Sequence, residues 1–213
     1  MTTRTRAVLF DFGGVFTPSP FDGARSYGAQ IGASPERVLE LVFGPYHEDT
    51  DHPWHRLERG EIALLDARAA ILELGRAEGI DADPFKLFAS MANGKQGAYD
   101  AMTERARAVV QRGYRTALVT NNIVEFRDSW RKMLPADELF QVIVDSSAVR
   151  MRKPNPAIFR HTLELLGDVA PEECLFLDDA ASNVAAAEAL GIRGVVVKSD
   201  LTDALAALDA LLV

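Results

Sequence analysis

Apolar residues in this chain gather in short unbroken runs. Ala7 to Phe10, Thr116 to Val119, Phe140 to Val144, Cys174 to Leu177 and Gly194 to Val197 are nearly continuous rather than alternating. Such runs predict strands buried on both faces of a parallel sheet. Helical stretches lie between and after them, at Tyr99 to Arg112, Val124 to Met133, Pro156 to Leu166, Ala181 to Leu190 and Leu201 to Leu212. Strands alternating with helices predict an α/β fold built on a doubly wound parallel sheet. Several boundaries carry their own signals: Asn155 as an N-cap before Pro156, and Gly113, Gly167 and Gly191 just past helix ends.

The alternation breaks once. About 100 residues separate the first strand from the next clear one, with helical character and no comparable strand. In a compact sheet such an interval is an insertion. Within it, Ser34-Pro35-Glu36-Arg37 opens a helix, and Glu61 to Leu74 carries a long helical pattern. The expected organisation is an α/β core over residues 1–16 and 91–213 and a small helical cap over 17–90. Inside the cap, residues 46–55 gather His47, His52 and His55 with Glu48, Asp49 and Asp51. A solvated polar loop is the plainest expectation for that run, and substrate contact from it is the functional one. It lacks the ligand spacing of a regular transition-metal site.

Composition narrows the classes. With 213 residues, 48% apolar and 25% charged, the chain suits one globular core with a satellite. A net charge of −8 repels nucleic acid and anionic membrane surfaces, so small molecules or proteins are the expected partners. The lone Cys174 lies in an apolar run and reads as a buried, inert thiol. The basic start Met1 to Arg6 is followed by an apolar stretch of only Ala7 to Phe10, too short for a signal peptide. No run approaches the roughly 18 apolar residues of a membrane-spanning helix. The cytoplasm is the expected location, and oligomeric state is not readable.

In an open parallel sheet, ligands bind beyond the carboxyl ends of the strands. Three of the expected strands end in polar residues there: Asp11, Thr120 and the pair Asp178-Asp179. Gly13-Gly14 after Asp11 lets backbone pass close to a ligand. Holding Asp178 and Asp179 near Asp11 is electrostatically costly, and a hard divalent cation such as Mg²⁺ removes that cost. Lys153, in a loop stiffened by Pro154 and Pro156, could neutralise both a nucleophile and a phosphate.

The segments VLFDFGGVF at 8–16, ALVTNN at 117–122, RKPNPAIF at 152–159 and CLFLDDAASNVAAAEALGI at 174–192 together resemble the four motifs of the haloacid dehalogenase-like superfamily. Within it the chain looks most similar to the phosphatase domain of soluble epoxide hydrolase and to bacterial sugar-phosphate phosphatases. The resemblance implies that Asp11 attacks phosphorus to form an aspartyl-phosphate, with Mg²⁺ held by Asp11, the Gly13 carbonyl and Asp179. It further implies that Asp178 holds a metal-bound water, that Thr120 and the Asn121 amide bind phosphoryl oxygens, and that Lys153 stabilises charge. Two readings stand for Asn183, one helical turn past the acids: it orients Asp179, or it is a plain helix-surface asparagine.

The chain departs from that pattern at Gly13, where most phosphatases of the superfamily carry an acid/base aspartate. Losing such a group costs about 10²- to 10⁴-fold in rate. Three readings follow. The chain is a Mg²⁺-dependent phosphatase of a small phosphorylated metabolite, with His47, His52 or His55 supplying the proton. Alternatively it is a 2-haloacid dehalogenase, or a catalytically weak binding or regulatory protein on the same fold. Substrate choice would come from the cap, where Phe43, Tyr46 and Trp54 could line a pocket.

Overall fold

A computed structural model describes residues 4–91 and 99–212. Five parallel strands form one sheet: β1 (Ala7–Phe10), β2 (Arg115–Thr120), β3 (Val142–Asp145), β4 (Cys174–Asp178) and β5 (Arg193–Val196), in the order β3-β2-β1-β4-β5. The chain winds outward from β1 in one direction and then in the other, so the strand order switches at β1. Register places Phe10 opposite both Leu118 and Leu177. The carboxyl ends of β1, β2 and β4 therefore lie side by side at that switch, where a crevice opens in sheets of this kind.

All residues of β1 and β4 are buried, which explains their unbroken apolar runs. The run expected over Gly194 to Val197 is not buried on both faces, because β5 is an edge strand and Val196 stays exposed. Val8, Phe10, Leu118 and Leu177 pack on one face against residues of the helices Asp100–Gln111 and Thr202–Leu212. Leu9, Ala117, Val119 and Phe176 pack on the other against the helices Pro156–Leu166 and Ala181–Glu188. Cys174 is buried in β4, and burial pushes its thiol up to about 12. Among the described residues no helix is long and apolar enough to cross a membrane.

Two expected elements are remade by packing. The helix expected over Val124 to Met133 is a 3-10 turn at Val124–Phe126 and one α-turn at Arg127–Trp130. Trp130 and Leu134 are buried in the core while Phe126 and Met133 stay exposed, so the apolar residues do not form the single stripe a long helix would need. The strand expected from Phe140 begins at Val142, because Ala136–Leu139 forms a short helix that seats Leu139 and Phe140 in the core.

Between β1 and the helix at Asp100 the described residues form α1 (Pro20–Ile31), α2 (Pro35–Phe43), α3 (Pro53–Glu58), α4 (Leu64–Glu78) and α5 (Pro84–Met91). Ser19 and Ser34 cap the first two, each followed by a proline at the first helical position. α1 escapes sequence detection because Gly23, Ser26 and Gly28 weaken its propensity and its apolar pattern. These helices bury a separate core that includes Tyr27, Leu41, Trp54, Leu57, Ile71 and Leu87.

The run 46–55 is not the solvated loop its composition suggests. Pro53 starts α3, and the His52 ring accepts from the Trp54 N–H at 3.2 Å as its N-cap. His55 is fully buried, with Nδ1 accepting from the Thr50 N–H at 3.0 Å. His47 and Asp51 remain exposed. Burial, reinforced by the nearby Arg152 charge, lowers His55 to about 3, and burial lowers His52 to about 4.

Both rings stay neutral in the folded chain well below the pH at which an unfolded histidine protonates, near 6.5. Their contribution to stability is therefore complete above pH 6.5 and lost as pH falls toward about 4 and then about 3. Thermal unfolding of His55→Gln should show a shallower decline in melting temperature between pH 6.5 and 4 than the wild type. Parallel declines would remove His55 from this acid sensitivity.

Candidate active site

β1 continues its ladder one residue past Phe10, because the Asp11 N–H donates to the Leu177 carbonyl at 2.8 Å. Asp11 is thereby held at the carboxyl end of the central strand and is only 8% exposed. The chain then turns sharply, with the Phe16 N–H returning to the Phe12 carbonyl at 2.9 Å. Gly14 sits in this turn at φ +70°, and a Cβ there would stand 2.2 Å from Asp179 Oδ2. Only glycine allows the turn and the carboxylate to approach so closely. Gly13 has no such constraint: a Cβ built on it meets nothing within 4 Å.

Lys153 is fully buried at the centre of the site. Its ammonium stands 2.7 Å from Asp11 Oδ1 and 2.6 Å from Asp178 Oδ2. The Lys153 backbone is clamped by Asn121, whose Oδ1 accepts from the Lys153 N–H at 2.8 Å and whose Nδ2 donates to the Lys153 carbonyl at 3.0 Å. The Asn121 side chain is thus occupied, and what it can offer an anion is its backbone N–H.

Asp178 is also fully buried and amply bonded. It accepts from Lys153, from the Ala180 N–H at 2.8 Å, and from Asn183 Nδ2 at 3.1 Å on both oxygens. Asn183 therefore orients Asp178 and not, as expected from its position one turn along the helix, Asp179. Asp179 has a partner that sequence reasoning missed: Ser19 Oγ donates to its Oδ2 at 2.5 Å. The Ser19 hydroxyl also caps α1, so the first helix of the insertion is tied directly to the acidic cluster. A serine before proline signalled a helix start but could not reveal that second contact.

Asp11, Asp178 and Asp179 each present a carboxylate oxygen, all within 4.8 Å of one another. One ammonium cannot balance three carboxylates in a dry cleft. Burial pushes Asp11 up to about 7, against the pull of Lys153 and with repulsion from Asp178 adding to the rise. Burial and repulsion from Asp178 and Asp11 hold Asp179 well above the carboxylate range. Burial would lower the Lys153 ammonium, but attraction to Asp11 and Asp178 outweighs it and raises it. An all-oxygen donor set with excess negative charge fits a hard divalent cation, which would cancel that repulsion.

Asp11, Asp179 and Lys153 form the floor of a cavity of about 690 Å³ between the carboxyl ends of the strands and the helical insertion, with Asp178 buried behind them. Gly13, Thr120, Asn121, Lys153 and Asp179 line it beside Asp11. From the insertion come Phe43, Tyr46, Trp54, Glu58 and Phe88. Glu58 is fixed by Trp54 Nε1 at 2.8 Å and Arg152 Nε at 2.7 Å. Burial, then the charges of Glu58 and Asp179, hold the Tyr46 phenol well above its ordinary pKa, so it keeps its proton at neutral pH. Among the described residues no histidine lines this cavity. The expectation that His47, His52 or His55 donates a proton there is corrected: two rings serve the fold of α3, and His47 lies in a shallow cleft beside Pro154.

A family model described as haloacid dehalogenase-like hydrolase matches residues 5–191. The chain belongs to that family of hydrolases. It is 32% identical to mouse acyl-CoA dehydrogenase family member 10, covering 97% of this chain but only 19% of that protein. It is 28% identical to a sesquiterpene phosphatase of Aspergillus oryzae, covering 97% of this chain and 94% of the relative. Among solved structures, a Bacteroides thetaiotaomicron family enzyme in complex with magnesium and inorganic phosphate superposes with a TM-score of 0.59 at 21% identity, covering 92% of this chain and 95% of that one. An L-2-haloacid dehalogenase of Xanthobacter autotrophicus gives 0.58 at 19%, covering 91% and 77%. These likenesses show the shared fold.

The two adjacent glycines should respond oppositely to a methyl group. Gly14→Ala adds backbone strain of ~1–3 kcal/mol and a collision with Asp179. Gly13→Ala should fall within about 0.5 kcal/mol of the wild type. Denaturant unfolding of both variants checks this, and equal losses would refute the assignment of the close approach to Gly14.

Proposed function

We propose that the chain is a Mg²⁺-dependent phosphatase that hydrolyses a phosphate monoester through an aspartyl-phosphate on Asp11. The observation that carries this reading is the clustering of Asp11, Asp178 and Asp179 around buried Lys153, with Asp11, Asp179 and Lys153 at the floor of an open cavity. Lys153 takes one oxygen of Asp11 and leaves the other for phosphorus. Asp11, Asp179 and a backbone carbonyl at Gly13 are the groups that would hold Mg²⁺, with Asp178 beside them. Bound there, the ion supplies charge neutralisation for the acids and for a phosphoryl group.

In the proposed reaction, Asp11 attacks phosphorus and the bond to the ester oxygen breaks. The leaving alkoxide takes up a proton, and water then cleaves the acyl-phosphate to return Asp11 and release inorganic phosphate. Thr120 and the Asn121 N–H hold phosphoryl oxygens, while Lys153 balances charge on Asp11 as the bond forms. The helical insertion, residues 17–90, serves as the cap that closes over the substrate. The names of the relatives support ester hydrolysis: besides the sesquiterpene phosphatase they include a phosphoglycolate phosphatase of Colwellia psychrerythraea at 25% identity. A haloacid reading is disfavoured by the three carboxylates, which would repel its anionic substrate.

With Gly13 unable to pass a proton, the Tyr46 phenol on the cavity wall is the proposed hydrogen-bond donor to the leaving oxygen.

A phosphate-ester panel with Mg²⁺ should give turnover that EDTA abolishes and that Asp11→Asn reduces by at least about 10³-fold. Unchanged activity in Asp11→Asn, or EDTA-resistant release of chloride from 2-chloropropionate, would overturn the reading. For the proton, Tyr46→Phe should slow alkyl phosphates by about 10- to 100-fold while sparing p-nitrophenyl phosphate, whose leaving group needs little help. His47→Ala should change neither rate, and a loss there would restore the histidine to the mechanism.

A further inference from the structure

The cavity above the acidic cluster is walled by aromatic side chains on both sides. The insertion contributes Phe43, Trp54 and Phe88, with ring centroids 5.0 Å apart for Phe43 and Trp54 and 5.6 Å for Trp54 and Phe88. The core contributes Phe12 and Trp130, 5.3 Å apart, and Phe126. Phe88 meets Phe126 edge-on at 6.1 Å, so the two walls join across the cavity. Beyond that junction the apolar character continues into solvent: Phe126 is 41% and Met133 63% exposed, and both line the cavity. Exposed apolar side chains that continue the lining of an apolar cavity extend the surface that a hydrocarbon ligand would cover.

Polar complementarity runs the other way. Among the described lining residues Lys153 is the only cation, and its charge is committed to Asp11 and Asp178. Glu58 and Asp100 add further acids to the wall. Trp54 Nε1 is taken by Glu58, which leaves the Tyr46 hydroxyl as the free polar atom of the insertion's aromatic side chains lining the cavity. Such walls offer a second phosphate or a carboxylate no counter-charge.

We infer that the substrate is the monophosphate of an uncharged, largely apolar alcohol, its hydrocarbon lying between the two aromatic walls and leaving over Phe126 and Met133. This deepens the phosphatase reading and rests on it. Burying hydrocarbon in such a cavity yields affinity in proportion to area, about 0.8 kcal/mol or roughly fourfold per methylene. The phosphoryl group supplies orientation at the floor, and the apolar walls supply discrimination.

The test is a series of straight-chain alkyl monophosphates from ethyl to decyl, below their micelle concentrations and with Mg²⁺, beside glucose 6-phosphate and p-nitrophenyl phosphate. kcat/KM should climb about three- to fourfold per methylene before levelling off, and glucose 6-phosphate should fall at or below the ethyl ester. Phe126→Asp, on the exposed rim, and Phe88→Ala should each lower the decyl-to-ethyl ratio at least 10-fold. In parallel, titration of wild-type tryptophan fluorescence with alkylphosphonates reads the walls without turnover, and affinity should rise with chain length. A flat series, or a preference for glucose 6-phosphate, overturns the inference while leaving the phosphatase reading intact. No turnover of any ester, with phosphonate affinity still rising with length, overturns the phosphatase reading and keeps the apolar walls.

Discussion

Three carboxylates and one ammonium share a space from which water is largely excluded, and much of the surrounding architecture serves that crowding. Asp11, Asp178 and Asp179 lie within 4.8 Å of one another, and Lys153 bridges two of them. In a medium less polarisable than water such charges interact strongly, so their positions must be enforced. Asn121 clamps the backbone of Lys153, Asn183 and the Ala180 N–H hold Asp178, and Ser19 holds Asp179. Gly14 gives up its side chain so that Asp179 can come near. The residual negative charge makes the cluster receptive to a divalent cation and, through it, to a phosphoryl group.

The helical insertion is fastened to this centre rather than merely laid over it. Arg152, the neighbour of Lys153, donates to Glu58 in α3 and to the Glu48 carbonyl. Ser146 Oγ donates to the Glu58 carbonyl at 2.7 Å, and Ser182 Oγ donates to the Tyr46 carbonyl at 2.7 Å. Residues one or a few positions from the chemistry thus anchor the wall that faces the substrate. Because Glu58 also fixes the indole of Trp54, the polar fastening and the aromatic wall form one structure.

Most of the sheet and the acidic centre were legible along the chain, for a physical reason. Buried parallel strands leave continuous apolar runs, and the crevice lies beyond their carboxyl ends, so Asp11, Thr120 and Asp178-Asp179 announced themselves by position. The helices of the insertion were less legible. α1 carries glycines that blur its period, and α3 begins inside a run so polar that it reads as a loop. His55 shows why composition misled: its ring is buried by packing, and its partner Thr50 gives no hint of that in the sequence.

By itself the sequence determined what local order encodes: the strands, their polar ends, the capped helices at Ser34 and Asn155, and the pairing of Asp178 with Asp179. Only the tertiary structure decided which long-range partners these groups meet. Lys153 reaches Asp178 across 25 residues, Ser19 reaches Asp179 across 160, and Asn183 turns to Asp178 rather than Asp179. Periodicity specifies which face of an element is buried, but not which side chain from a distant element fills the space opposite. Phe43, Tyr46 and Trp54 were expected to line a pocket and do; the same limit kept the rest of the aromatic walls hidden, because Phe88 and Phe126 become one surface only when the insertion folds back on the sheet.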